Sequence, residues 1–146
     1  MTEILIKRLS KNISLPKYET DGSSGMDLAA DIKDTIEIQP GKSVLIPTGL
    51  AVSIPKNFEI QIRPRSGLAA KKQISVLNTP GTIDADYRGE LKVILINLGE
   101  KVFKVEKGLR IAQMVLCPVI KATLKEVKSL EETIRGSDGF GSTGTK

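Results

Sequence analysis

Apolar and polar residues alternate in short runs along most of this chain. Phe58, Ile60 and Ile62 alternate with Glu59, Gln61 and Arg63, and Ile36 and Ile38 flank Glu37. Leu91, Val93 and Leu95 share one face of the run Leu91 to Ile96, whose other face carries Lys92, Ile94 and Ile96. That run is apolar on both sides at one end, which predicts burial of both faces there. A period of two places alternate side chains on one face, as in strands laid over a core. Turn residues separate the runs: Pro40-Gly41, Pro47, Pro55-Lys56-Asn57, Pro80-Gly81, Gly89, Gly99 and Gly108. A break roughly every ten residues is the rhythm of a β-sandwich or barrel. Two segments depart from it. Ser66 to Lys72 predicts a short helix capped by Ser66. Leu124 to Ile134 has helix-compatible charges over a weak apolar period.

The pattern stops at the end of the chain. Arg135-Gly136-Ser137-Asp138-Gly139-Phe140-Gly141-Ser142-Thr143-Gly144 holds four glycines and one aromatic residue. Such a segment cannot bury enough surface to hold itself folded. The expected organisation is a body over residues 1–134 and a flexible tail over 135–146. Composition alone reads the tail as a frayed terminus. Phe140 argues otherwise, because an aromatic ring is costly to leave in water. Arg135 and the Gly-Ser-Thr stretch also offer a guanidinium, hydroxyls and open backbone N–H groups, all of which suit a phosphate.

Composition narrows the chemistry. The chain has 146 residues, enough for one domain with a modest core. It contains no histidine and one cysteine, so a Cys/His zinc site cannot be built within one chain. The zinc-dependent nucleobase deaminase signature is excluded for the same reason. Cys117 lies in the apolar run Met114-Val115-Leu116-Cys117, which reads as a buried, inert thiol. A net charge of +5 favours polyanionic partners, either nucleic acid or phosphorylated small molecules. The lysines, however, are interleaved with acids, as on an ordinary solvated surface. With five Tyr and Phe residues and no Trp, a stacking platform for single strands is thin, so no nucleic-acid partner is expected. Met1 to Lys11 has no apolar run long enough for a signal peptide or membrane span. A cytoplasmic protein with no membrane partner is expected.

Four body segments carry candidate chemistry. Arg63-Pro64-Arg65-Ser66-Gly67-Leu68 follows an alternating strand: Arg65 can clamp phosphate oxygens, Ser66 can donate its hydroxyl, and Gly67 lets a ligand approach the backbone. The ordinary alternative is a strand-to-helix turn. Asn78 to Glu90 reads as a hairpin connection between Ile74–Leu77 and Leu91–Ile96, carrying Asp84, which can deprotonate a water, and Tyr87, which offers a face to a sugar or base. The alternative is a polar hairpin tip. Ser24-Gly25-Met26-Asp27-Leu28-Ala29-Ala30 places one acid in a small-residue turn, either an Asx turn or a carboxylate reaching the water shell of Mg²⁺. Gly108 to Val115 sets Arg110 and Gln113 in an apolar strand, where a buried polar side chain needs a partner, structural or ligand.

In this order and spacing, the four segments and the tail resemble the five motifs of the trimeric dUTPase family, the deoxyuridine triphosphate nucleotidohydrolases. The resemblance runs on Gly25-Met26-Asp27-Leu28, Pro64 to Leu68, Gly81 to Gly89, Arg110-Ile111-Ala112-Gln113, and Arg135 to Gly144. It implies an all-β fold, a distorted jelly-roll β-barrel with one short helix and a flexible C-terminal tail, assembled as a homotrimer with sites at subunit interfaces. One chain would supply Asp27, Arg65, Ser66, Gly67 and Gln113. A second would supply Asn78, Thr82, Ile83, Asp84, Tyr87 and Lys92. The third would send across Arg135, Phe140, Gly141, Ser142 and Thr143 as a lid.

The implied reaction is attack of water on the α-phosphorus of dUTP, giving dUMP and pyrophosphate. That reaction limits uracil in DNA and supplies dUMP for dTMP synthesis. Asp84 would activate the water, and Mg²⁺ would chelate the phosphates, touching Asp27 through water. The tail departs from the family's Gly-Gly-Phe-Gly centre, because Asp138 replaces the first glycine. If that position needs a positive φ, Asp is among the better substitutes. A dCTP deaminase of the same superfamily is the nearest alternative; the Asp84–Tyr87 pair and the Phe140-bearing tail favour dUTP hydrolysis.

Overall fold

The computed structural model of the chain describes residues 2–144. The alternating runs become strands, each with one face on a common core. In chain order they are β1 (Leu5–Arg8), β2 (Met26–Ala29), β3 (Ile36–Ile38), β4 (Ser43–Ser53) and β5 (Phe58–Arg63). Helix α1 (Ser66–Lys72) follows, then β6 (Ile74–Val76), β7 (Gly81–Ile83), β8 (Glu90–Asn97), β9 (Phe103–Val105) and β10 (Arg110–Pro118).

Two four-stranded antiparallel sheets and one ribbon result. Their orders are β1-β4-β8-β6, β2-β10-β5-β7 and β3-β9. The chain passes repeatedly from one sheet to the other, as a jelly roll does. The ladders do not join into a closed barrel, so the barrel expected from the family resemblance is realised as two sheets over one core. Leu28, Ile60, Ile62 and Met114 come to that core from one sheet, and Ile46, Val52, Leu91, Val93 and Leu95 from the other. Ile38 and Val105 of the ribbon complete it.

Register explains the burial. Ile60 and Ile62 are inward, and Glu59, Gln61 and Arg63 line the outward face. Leu91, Val93 and Leu95 are buried on β8, while Ile94 and Ile96 on its other face are half-buried and Lys92 is exposed. Two-sided burial there is therefore partial. Asn97 is fully buried: its Nδ2 donates to the Ile38 carbonyl at 2.8 Å and the Lys101 carbonyl at 2.7 Å, and its Oδ1 accepts from Gly99 N–H at 2.9 Å. A buried amide with its partners in place pins the ribbon to the sheet, its hydrogen bonds offsetting the lost hydration.

Several sequence expectations need correction. Asp27 lies on β2 rather than in a turn, and Pro47 lies within β4 rather than between strands. The strands β6 and β8 do pair, with Ile74 opposite Asn97 and Val76 opposite Leu95. Their connection is no simple hairpin, however, since β7 leaves it to pair with β5 in the other sheet. Ser66 does not cap α1. Arg65 is the cap residue, with extended backbone, and no side chain closes the first turn. Leu124 to Ile134 forms no helix; within one chain it has no surface on which to lay an apolar face, and an isolated helix of that length is marginal in water. Cys117 is half-buried rather than buried, because it points to the outward face of β10, where Arg63 Nη2 lies 3.5 Å from its Sγ. None of the described helices is long and apolar enough to cross a membrane.

Candidate phosphate-handling site

The site starts from three neighbouring strand positions. On β10, Gln113 sits opposite Asp27 of β2 and Arg63 of β5, so these side chains share the outward face of the sheet. A regular strand would turn Arg110, three residues before Gln113, to the opposite face. The β10–β2 register shifts between Arg110 and Ala112, which leaves Arg110 opposite Ala29. Asp27 and Ala29 are two apart on one strand and face the same way. The bulge therefore brings Arg110 round to the side of Asp27 and Gln113, as bulges do when they re-aim a side chain.

Asp27 then holds two guanidiniums. Its Oδ1 accepts from Arg65 Nε at 2.9 Å, and its Oδ2 accepts from Arg110 Nη1 at 3.1 Å. Arg65 Nη1 lies 3.4 Å from the Arg110 carbonyl, closing a ring of three residues. Asp27 and Arg65 are mostly shielded, with side chains 21 % and 28 % exposed, whereas Arg110 is 54 % exposed. Glu19 stands at the margin, 3.9 Å from Arg110 Nη1. Gln113 donates from Nε2 to the Pro64 carbonyl at 2.9 Å, fixing the turn that carries Arg65. Gly25 leaves room beside it, because a Cβ there would force the Gln113 amide to move.

Ser66 and Gly67 follow Arg65 directly, both exposed at the start of α1. The Ser66 hydroxyl is not spent on a cap, so it is open to a ligand. One chain thus brings together Asp27, Arg65, Ser66, Gly67 and Gln113. It does not bring the other candidates to them. Thr82 lies on the outward face of β7, opposite Gln61. Asp84, just past β7, is exposed and lines a separate groove with Phe58, Val119 and Lys121. Ile83 is half-buried against the core. Asn78 is exposed, with its amide against Gly81.

Tyr87 donates its hydroxyl to the Glu90 carbonyl at 3.0 Å, and its N–H donates to the Asp84 carbonyl at 3.1 Å. The ring occupies the space a side chain at Gly89 would need. Lys92 is exposed, 3.9 Å from Glu90. Arg135, Phe140, Gly141, Ser142 and Thr143 are exposed, and Arg135 Nε bonds only within the tail, to the Asp138 carbonyl at 2.9 Å. Asp138 itself does not take a positive φ; Gly136, Phe140, Gly141 and Gly144 do.

Among the described residues no cluster of three or more His, Cys, Asp or Glu could cage a metal. Both Asp27 oxygens already accept a guanidinium bond, but each carboxylate oxygen keeps a further acceptor position. That suits a hydrated Mg²⁺, which keeps several waters and takes its direct ligands largely from phosphates. Two features escaped the sequence reading. One is the Arg110 contact to Asp27, since a bulge leaves no mark in an apolar run. The other is a ladder on β5, where Gln61 Nε2 donates to Glu59 at 2.7 Å and Arg63 donates to Gln61 Oε1 at 2.8 and 3.1 Å. The strict alternation of that strand was a usable signal for it.

A jelly-roll body that places two arginines on one carboxylate, with an uncapped serine next in the chain, offers the donors that phosphate groups take. A family model described as dUTPase matches residues 11–144. The deoxyuridine 5'-triphosphate nucleotidohydrolase of Rickettsia bellii is 58% identical over 145 residues, covering 99% of this chain and 97% of its own. That of Brucella melitensis is 56% identical over 138 residues, covering 93% of this chain and 88% of its own. Among solved structures, the dUTPase of Staphylococcus bacteriophage 80alpha with dUPNHPP superposes with a TM-score of 0.85 at 30% identity, over 99% of this chain and 100% of that one. The chain belongs to the dUTPase family.

Proposed function

We propose that this chain hydrolyses dUTP to dUMP and pyrophosphate, and so limits uracil in DNA and supplies dUMP for dTMP synthesis. The observation that carries the reading is that the family motifs are all present, with Asp138 their one departure, yet in one chain they stand in three separate places. The arginine ring, the Asp84 turn and the tail do not meet. A homotrimer with sites between subunits reconciles them. The exposed apolar residues of the last segment support it: Ile120, Leu124, Leu130, Ile134 and Phe140 are each at least 86 % exposed and have no cover within one chain. Large apolar side chains left in water are costly, and cover from another copy would remove that cost.

In this reading Asp84 accepts a proton from a water that attacks the α-phosphorus. The bond from that phosphorus to the bridging oxygen breaks, and pyrophosphate leaves. Arg65, Ser66, Gly67 and Gln113 orient the phosphates. Positioning and charge stabilisation supply most of the rate in phosphoryl transfer. Tyr87, held by its bond to Glu90, packs on the deoxyribose. Asn78, Thr82 and Ile83 face the uracil, and Lys92 adds positive charge. Mg²⁺, held by the phosphates and touched by Asp27 through water, would neutralise their charge. Phe140 stacks on the base while Arg135, Gly141, Ser142 and Thr143 cover the phosphates and exclude bulk water. The enzyme acts in the cytoplasm on the free nucleotide, without nucleic-acid or membrane partners.

Pyrophosphate release from dUTP, UTP, dTTP and dCTP tests the proposal. Rapid release from dUTP alone is expected. Ammonia release from dCTP would replace it with a deaminase. Inert nucleotides together with salt-steep oligonucleotide binding would replace it with a nucleic-acid binder.

A further inference from the structure

We infer that Arg110 is a positioning residue for triphosphate binding, acting through Asp27 on Arg65; the inference rests on the proposed dUTP hydrolysis. A guanidinium has five N–H donors in a fixed plane. Arg65 gives Nε to Asp27 and one Nη1 hydrogen towards the Arg110 carbonyl, which leaves three free for a ligand. Their direction is set by how Asp27 is held. A lone carboxylate on a strand edge can swing about its side-chain torsions. Here Arg110 Nη1 fixes the second oxygen at 3.1 Å, so the first stays on Arg65 Nε.

Two observations make this more than an incidental surface ion pair. The register shift on β10 is what turns Arg110 to the Asp27 side at all, and bulges are features that re-aim side chains. Arg110 also has a choice of acid and takes the shielded one: Asp27 lies at 3.1 Å with 21 % of its side chain exposed, against 3.9 Å for Glu19 with 54 % exposed. A charge pair is worth more where water is partly excluded. Because Arg110 meets the phosphates only through the ring, its loss should weaken triphosphate binding while leaving the water-activating Asp84 turn untouched.

A double-mutant cycle on the full chain tests this, at about 0.15 M salt so that long-range charge effects are screened. The variants are Arg110→Gln, Asp27→Asn and both together. Asparagine at 27 keeps one acceptor for Arg65 but turns the other into a donor, which a guanidinium cannot use. Arg110→Gln should raise KM for dUTP about tenfold, the scale of one charge-assisted hydrogen bond, with kcat within about threefold and the thermal midpoint unchanged. The affinity for dUMP should barely move, whereas that for a non-hydrolysable imido analogue of dUTP should fall in step with KM. In the Asp27→Asn background, adding Arg110→Gln should cost little more.

If the two effects multiply instead, Arg110 acts on phosphate directly and the inference fails. It fails equally if Arg110→Gln matches the wild type. Should Arg110→Gln not fold, Arg110→Lys takes its place in the same cycle, since lysine keeps the charge but loses the planar fork. A wild-type protein that leaves dUTP intact would refute the proposed function itself, a result separate from the outcome of the cycle.

Discussion

From Leu5 to Pro118 ten strands pair and close on one core, whereas from Ile120 to Asp138 every residue is exposed and none is in a strand. Among the described residues, the last backbone bond tying the end of the chain to the body is Val119 N–H to the Asn57 carbonyl, at 2.8 Å. Both regions contain large apolar residues, so composition does not separate them. In the body each apolar face meets another at the right register. In the last segment Leu124, Leu130 and Ile134 meet nothing. The body's order is internal, and any order the tail acquires has to come from a ligand or another copy. Substitutions in the two regions should therefore fail differently: those in the core through unfolding, and those in the tail through lost activity in a folded protein.

The largest effect on activity is expected at the boundary between the two behaviours. Asp84 sits on the rigid body but is exposed, so Asp84→Asn should lower kcat by about 10²–10⁴-fold, as for a lost general base, with the melting temperature unchanged by calorimetry. A variant that melts early would make Asp84 structural. Next, Leu91→Ala removes a fully buried side chain at the centre of the core, and should cost about 2–5 kcal/mol in urea unfolding. Phe140→Ala should leave urea unfolding unchanged and raise KM for dUTP by roughly 5- to 150-fold, the worth of one base–aromatic stack. A loss of stability there would show that the tail belongs to the body. The smallest effect is expected from Asp138→Gly. Since Asp138 does not occupy a positive φ, stability should stay within about 0.5 kcal/mol of the parent, and a large gain in kcat/KM would instead mean that its carboxylate opposes lid closure.

Much of the body was legible because its signals are local. The alternation of Phe58 to Arg63 and of Leu91 to Ile96 follows from one-sided burial, and most of the turn residues fall between strands, whereas Pro47 lies within β4 where its register shifts. Sheet membership was not legible. That β7 leaves the β6–β8 connection to join β5 depends on contacts between residues far apart in sequence. Ser66 could be placed near a helix start, but the difference between cap and first helical residue lies in the backbone of Arg65. Arg110 was visible as a charged residue in an apolar run, yet its direction depends on a one-residue bulge. Cys117 looked buried because its neighbours are apolar, although alternation sends it outward beside Arg63. In the tail, composition gave both the lack of internal structure and the residues suited to phosphate, but not the surface on which they would rest.

The central claim is that the Asp84 turn and the tail of one working site come from different chains, and subunit mixing tests it most directly. Asp84→Asn protein, with its tail intact, would be dissociated and reassembled with an equal amount of protein lacking Arg135 to Lys146. Each should be nearly inactive alone. In random mixed trimers about one quarter of the sites would combine a native Asp84 turn with a native tail, so dUTP turnover should rise to a comparable fraction of the wild-type rate. Turnover no greater than the mean of the two parents, in trimers shown by mass to be mixed, would mean that each chain completes its own site.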